Sequence, residues 1–139
     1  MEKKSLNLRY NLLLKSLKTL GSSVARSNDP AIKDEFNEIR DSKIQRFEYT
    51  IDTFWKYLGD YITSKGIILR QINPKDVFRA CFMNKIISDQ EFNILLKAVD
   101  DRNATSHNYG EDISEKIAKN IDEYYQLINT LTKKLTSDS

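Results

Sequence analysis

The sequence predicts an all-α protein, an up-and-down, four-helix-bundle-like assembly of five helices in one domain over residues 1–139. Three observations predict it. Apolar residues recur at steps of three and four along most of the chain, the spacing that gathers them on one stripe of a helix. Only 4 Gly and 2 Pro are present, a composition that favours helices. No stretch sustains the period-two alternation of a half-buried strand.

The first helix is expected from about Lys4 to Val24. Leu6, Tyr10, Leu13, Leu17, Leu20 and Val24 form its stripe, and Gly21-Ser22-Ser23 weakens its end. Ser27-Asn28-Asp29-Pro30 reads as a stop and a restart, with Asp29 as cap and Pro30 at the first helical position. A long second helix follows, from Pro30 to about Ser64. Ile32, Phe36 and Ile39 make one stripe. Ile44, Phe47, Ile51, Phe54, Leu58 and Ile62 make another, so a bend or a change of packing partner is expected near Asp41-Ser42. Gly66 suits the position just past the end. Asn73-Pro74-Lys75-Asp76 starts a short helix to about Met83, and Ser88-Asp89-Gln90-Glu91 is a capping box that opens another. That fourth helix carries Phe92, Leu95, Leu96 and Val99. The last begins near Asp112 and carries Ile113, Ile117, Ile121, Tyr124, Ile128, Leu131 and Leu135. Ile67-Ile68-Leu69 is too short for a helix and reads as a loop plug, and Ser137-Asp138-Ser139 as a frayed end.

Composition narrows the function classes. With 40% apolar and 30% charged residues, the chain is neither a disordered nor a membrane sequence. A net charge of +2 does not demand a nucleic-acid partner, although a local basic site on a neutral protein remains compatible with one. Cys81 is the only cysteine and lies among aromatics, which suits a buried inert thiol and a reducing compartment. No apolar run approaches a membrane span, and Met1-Glu2-Lys3-Lys4 leads into no apolar signal core, so a cytoplasmic location is expected.

One polar stretch can carry chemistry: Asp100-Asp101-Arg102-Asn103-Ala104-Thr105-Ser106-His107-Asn108-Tyr109, which holds the only histidine. Arg102 and Tyr109 are seven apart and share a face if the segment is helical, whereas His107 is rotated away. A helix break between them brings all three together, and Asn103, Thr105, Ser106 and Asn108 are residue types that make such breaks. His moves protons near neutral pH, and Arg holds phosphate bidentately. Together they suit metal-independent RNA cleavage. Tyr offers a hydroxyl that can bind or accept a nucleotidyl group. A ribonuclease gains from two proton-transfer groups, which a two-fold dimer supplies. The plainer alternative pairs Arg102 with Asp100 or Asp101 and leaves His107 as a helix cap.

Arg102-x4-His107-x-Tyr109 resembles the R-x4-H-x-Y motif of HEPN domains. Asp101-Arg102-Asn103-Ala104-Thr105-Ser106-His107-Asn108-Tyr109 resembles a D-R-N-x-T-S-H-x-Y stretch of the nucleotidyltransferase substrate-binding protein family within them. Ile44-Gln45-Arg46-Phe47-Glu48-Tyr49-Thr50 is similar to that family's I-Q-R-F-E-[YF]-T segment, with Trp55-Lys56 at the expected offset. Asn84 stands where the family often has Gly. The resemblance implies a helical partner of a separately encoded minimal nucleotidyltransferase, forming a homodimer in a toxin–antitoxin-like pair. It implies Arg102 and His107 as the cleaving pair of active ribonucleases in the superfamily, Tyr109 as a target of adenylylation, and a site with Asn103, Ser106, Arg46 and Glu48 that takes RNA or a nucleotide. The partner brings the metal and the nucleoside triphosphate, and no metal or cofactor is expected on this chain. The transferase signature G-S-x10-D-x-D is absent here. Two functions stay open: a substrate-presenting partner that is non-catalytic or conditionally catalytic, and a metal-independent ribonuclease toxin silenced by modification of Tyr109. From periodicity, Phe47, Ile51 and Phe54 belong to the core. Glu48 lies beside their stripe, either reaching the cleft near Arg102 or simply solvated. Tyr124-Tyr125 serves the core or a dimer surface.

Overall fold

A computed structural model describes residues 2–106 and 110–137. It contains helices α1 (Glu2–Ser27), α2 (Glu38–Ser64), α3 (Pro74–Met83), α4 (Asp89–Ala104) and α5 (Glu111–Ser137), with no strand among the described residues. The expected all-α bundle of three long and two shorter helices is what forms. α2 is its spine, because it packs against α1, α3, α4 and α5 alike.

The stripes read from the sequence are the core. Leu13, Leu17, Leu20 and Val24 of α1 are buried, as are Phe47, Ile51, Phe54, Leu58 and Ile62 of α2. Ile117, Ile121, Tyr124, Ile128, Leu131 and Leu135 of α5 join them, so Tyr124 serves the core and stacks on Phe47 with centroids 5.5 Å apart. Tyr125 is partly buried against the same core. α3 contributes Val77, Phe78 and Cys81, with Phe78 tilted 6.0 Å from Phe54. The Ile67-Ile68-Leu69 plug is split: Ile67 and Leu69 pack on the core while Ile68 points out.

Two boundaries differ from the sequence expectation. α1 runs through Gly21-Ser22-Ser23 to Ser27. The small residues there make room rather than end the helix. A Cβ on Gly21 would lie 2.5 Å from the Tyr125 hydroxyl, and buried Ser23 accepts a hydrogen bond from Arg46. The second difference is larger. α2 starts at Glu38, not Pro30, and residues 28–37 form turns. Asp29 does cap, but only a local turn, its Oδ1 accepting from the Ala31 N–H at 2.9 Å. The helix is capped instead by Asp34, whose carboxylate takes the Ile39 and Arg40 N–H groups at 3.1 and 3.0 Å. Ile32 and Phe36 are therefore exposed, Phe36 by 80%. The five-residue step from Ile39 to Ile44 falls at the start of α2, not at a mid-helix bend.

The other caps follow the sequence. Asn73 accepts from the Asp76 N–H, and Ser88 with Glu91 forms the full capping box. Gly66, at φ 88°, closes α2 in a Schellman motif: its N–H bonds Thr63 and the Ile67 N–H bonds Ile62. α3 ends the same way, with Ile86 bonding Cys81 and Lys85 bonding Phe82, but the left-handed position is held by Lys85 at φ 61°. The position after the Gly-like Asn84, not Asn84 itself, carries the strain. A side chain there costs roughly 1 kcal/mol. Lys85→Gly is expected to stabilise the fold by up to about 1 kcal/mol, less what glycine adds to the unfolded chain's entropy. Thermal unfolding followed by circular dichroism should show a melting temperature a few degrees higher, and a lower one would refute the strain.

Burial also governs the lone thiol. Cys81 is fully buried, and desolvation pushes its pKa up to about 12. Tyr57 is pushed up to about 12 too, by burial first and then by Tyr10 and Tyr61. Both groups are neutral when protonated, so the folded state keeps its protons longer than the unfolded chain. Stability is unaffected below the ordinary thiol pKa and is lost as pH climbs from there toward about 12. Native protein is expected to resist thiol alkylation at pH 8 and to react fully in guanidinium. Prompt native labelling would contradict the burial.

Candidate functional site

The site begins with a turn of α2. Glu48 and Asp52 are four apart, so both carboxylates leave the same face of the helix. That face looks across at the last turn of α4, where Arg102 points back. Arg102 donates from Nε and Nη2 to the two oxygens of Asp52, at 3.3 and 3.0 Å, and from Nη1 to Glu48 at 3.0 Å. The fork is bidentate on Asp52 and single on Glu48. Its side chain keeps about a quarter of its surface in solvent. Hydrogen bonding to Asp52 raises the guanidinium pKa above its ordinary value, burial opposes this, and the fields of Asp52 and Glu48 add to it. Arg102 is a cation at every physiological pH, and the stability that its raised pKa contributes is lost as pH rises above the ordinary guanidinium range toward that raised value.

The alternative partners of Arg102 are engaged elsewhere. Asp100 holds Lys75 at 2.8 Å. Asp101 accepts from the Tyr124 hydroxyl at 2.6 Å and from Asn120 at 3.1 Å. Those bonds tie α4 to α5 and raise the Tyr124 pKa, by burial first and then by the bond to Asp101. Neighbouring helical residues point in different directions, so the adjacent acids could not serve an arginine aimed at α2.

α4 stops just beyond Arg102. Thr105 bonds the Arg102 carbonyl at 2.7 Å and Ser106 the Asn103 carbonyl at 2.7 Å, each through its own hydroxyl. These side-chain bonds replace the helical ladder at Ala104. Asn103 and Ser106 are exposed at this end. His107 and Tyr109 lie outside the described residues. A cavity of about 220 Å³ sits at the same junction, between Asp41 and Ile44 of α2, Thr105, and Ile113, Ser114 and Ile117 of α5. Among the described residues, no group of His, Cys, Asp or Glu side chains is placed to hold a metal ion, and no helix is long and apolar enough to cross a membrane.

Arg46 is not part of this cluster. It faces α1, giving Nη1 to the Thr19 carbonyl at 3.0 Å and to Ser23 at 2.8 Å. Asp52 is the residue that sequence reasoning missed. Its signal was the acidic i, i+4 pair it makes with Glu48 beside the core stripe of α2.

A family model described as nucleotidyltransferase substrate binding protein like matches residues 8–137. The chain belongs to this family. A solved structure of the protein ttk003001694 from Thermus thermophilus is 32% identical, with a TM-score of 0.77, over 88% of this chain and 98% of that one. A chain from a mutant of the toxin–antitoxin pair MntA-HpeT shares the fold at 14% identity, with a TM-score of 0.72, over 93% and 99%. Among curated proteins no sequence matches. The family match spans Glu48, Asp52 and Arg102 together with the stretch that follows.

Asp52→Asn is expected to cost about 1 kcal/mol of stability and Arg102→Met about 2, because the second leaves two like charges facing each other. Melting temperatures should fall in that order, by a few degrees each. An unchanged melting temperature in Arg102→Met would mean that the clamp adds nothing.

Proposed function

We propose that this chain is the helical, substrate-presenting partner of a separately encoded minimal nucleotidyltransferase, in a toxin–antitoxin-like pair. The observation that carries the proposal is Arg102, pinned by Asp52 and Glu48 at the end of α4 that leads into His107 and Tyr109, in a chain whose family is defined by nucleotidyltransferase substrate binding. The working site is Arg102, His107 and Tyr109 of a HEPN-type domain, with Asn103, Ser106 and Glu48 around it, facing a second copy across a two-fold axis. Tyr109 is the acceptor. Its hydroxyl oxygen takes the nucleotidyl phosphorus from a nucleoside triphosphate, pyrophosphate leaves, and the phenolic proton is lost to solvent.

Charge decides the weight given to RNA cleavage by this chain alone. One guanidinium faces two carboxylates, so the described cluster sums to −1. A phosphate approaching Arg102 meets those carboxylates as well, which favours presentation over unaided cleavage. The second reading, a metal-independent ribonuclease toxin cleaving RNA, draws support from the shared fold with a chain of a toxin–antitoxin pair.

Coexpression with the nucleotidyltransferase encoded beside this chain is expected to give a stable copurifying complex. Transfer of a nucleotide is expected to add one nucleotidyl mass to the wild type and none to Tyr109→Phe. A neighbouring enzyme that neither binds nor modifies the chain would defeat the proposal. Expressed alone, wild type that slows growth while His107→Ala does not would favour the ribonuclease reading.

A further inference from the structure

The candidate site uses α2 near its middle. Beyond the C-terminus of α2, residues 65–73 connect to α3, and a groove of about 600 Å³ runs between that connection and α3. Ile67, Leu69 and Ala80 line it. Ile68 and Met83 line it too, and they are 89% and 70% exposed. Scattered exposed apolar residues are ordinary, but two long ones on the walls of one apolar groove mark a surface that is covered in use. The groove's charged lining is Arg70, Arg79 and Asp76. Asp76 is consumed by Arg79, at 2.7 Å, and by Asn73, at 2.7 Å. Arg70 makes no ion pair among the described residues. The rim is therefore net positive.

We propose that this groove docks the nucleotidyltransferase partner through an apolar side chain carried on an acidic segment. The inference rests on the function proposed above. The apolar walls supply the anchor site, and the cationic rim selects the segment's charge and speeds encounter. A second copy of this chain fits poorly, since a two-fold contact through this groove would bring two net-positive rims together. The geometry also suits an enzyme that must reach the Arg102 clamp. From Asp52 to Gly66 the rise along α2 is about 20 Å at 1.5 Å per residue. A domain of about 100 residues, with a radius of gyration near 13 Å, spans that distance while seated in the groove.

The test measures affinity between the full chain and the nucleotidyltransferase encoded beside it. Ile68→Asp combined with Met83→Glu is expected to weaken binding at least about tenfold. Arg70→Glu alone is expected to weaken it severalfold, with a loss that shrinks as salt rises. Leu8→Asp, at an exposed position on α1, is expected to change nothing. Melting temperatures establish that each variant is folded, and Arg70→Glu decides the matter should the double variant unfold. Groove variants that bind like wild type would overturn the inference and leave the proposed function standing. So would an equal loss in Leu8→Asp, or groove variants that lose only self-association in light scattering. Wild type that fails to bind the enzyme at all would overturn both.

Discussion

The constraint on which the rest depends is the burial of α2 between four other helices. On a helix packed that way, polar side chains that face a neighbour need a partner there. Five of them have one. Arg46 and Thr50 reach α1, through Thr19, Ser23 and Ser16. Lys43, buried to 5% exposure, bonds Ser27 at the end of α1 and Asp122 of α5 at 3.1 Å each. Glu48 and Asp52 take Arg102 of α4. The spine therefore carries polar pins for α1, α4 and α5, spaced around its axis, while Phe47, Ile51, Phe54 and Leu58 fill the intervals.

These pins and the apolar stripe do different work. The core supplies most of the driving force, with each fully buried large side chain contributing roughly 1.5–3 kcal/mol. A buried ion pair such as Lys43–Asp122 adds little net stability, because desolvation offsets the attraction. Its effect is on register. Sliding α5 along α2 by one turn would leave the buried Lys43 ammonium without its carboxylate, a penalty that apolar packing alone does not impose. The Arg102 clamp acts likewise on α4. It fixes the rotation of the last turn, and with it the direction in which the chain leaves toward His107 and Tyr109.

Much of this was legible in the sequence, and the limits have physical causes. Stripes at steps of three and four located the long helices, because core burial is a repeated local signal, while α3 was placed by its Asn73-Pro74 start. Ser88, Asn73 and Gly66 marked ends correctly because their caps act within a few residues. Pro30 misled, since the residue that caps α2 is Asp34, reaching five and six positions forward from a run of turns that periodicity cannot see. The candidate site was half legible. Arg102 stood out by its neighbours, yet its partners are 50 and 54 positions away while two acids sit directly before it. Glu48 could be suspected from its angle on α2. Asp52 required knowing which face of α2 meets α4, and that is a tertiary fact. Arg46 lay in the same sequence segment as Glu48, but two residues along a helix turn it through about 200° at 3.6 residues per turn, onto α1.

A spine pinned to three of its neighbours also fixes distances. Twenty-seven residues of α2 form one uninterrupted helix, about 40 Å long at 1.5 Å per residue, and it carries the carboxylate pair near its middle and the groove beyond its end. Neither surface can shift along α2 without breaking ion pairs or exposing core side chains. A partner that seats itself at the groove thus meets the end of α4 at one set distance and angle. Precision of this kind is what group transfer to a chosen hydroxyl requires, because a misplacement of about 1 Å can cost a hundredfold in rate. The helices supply that precision by being rigid.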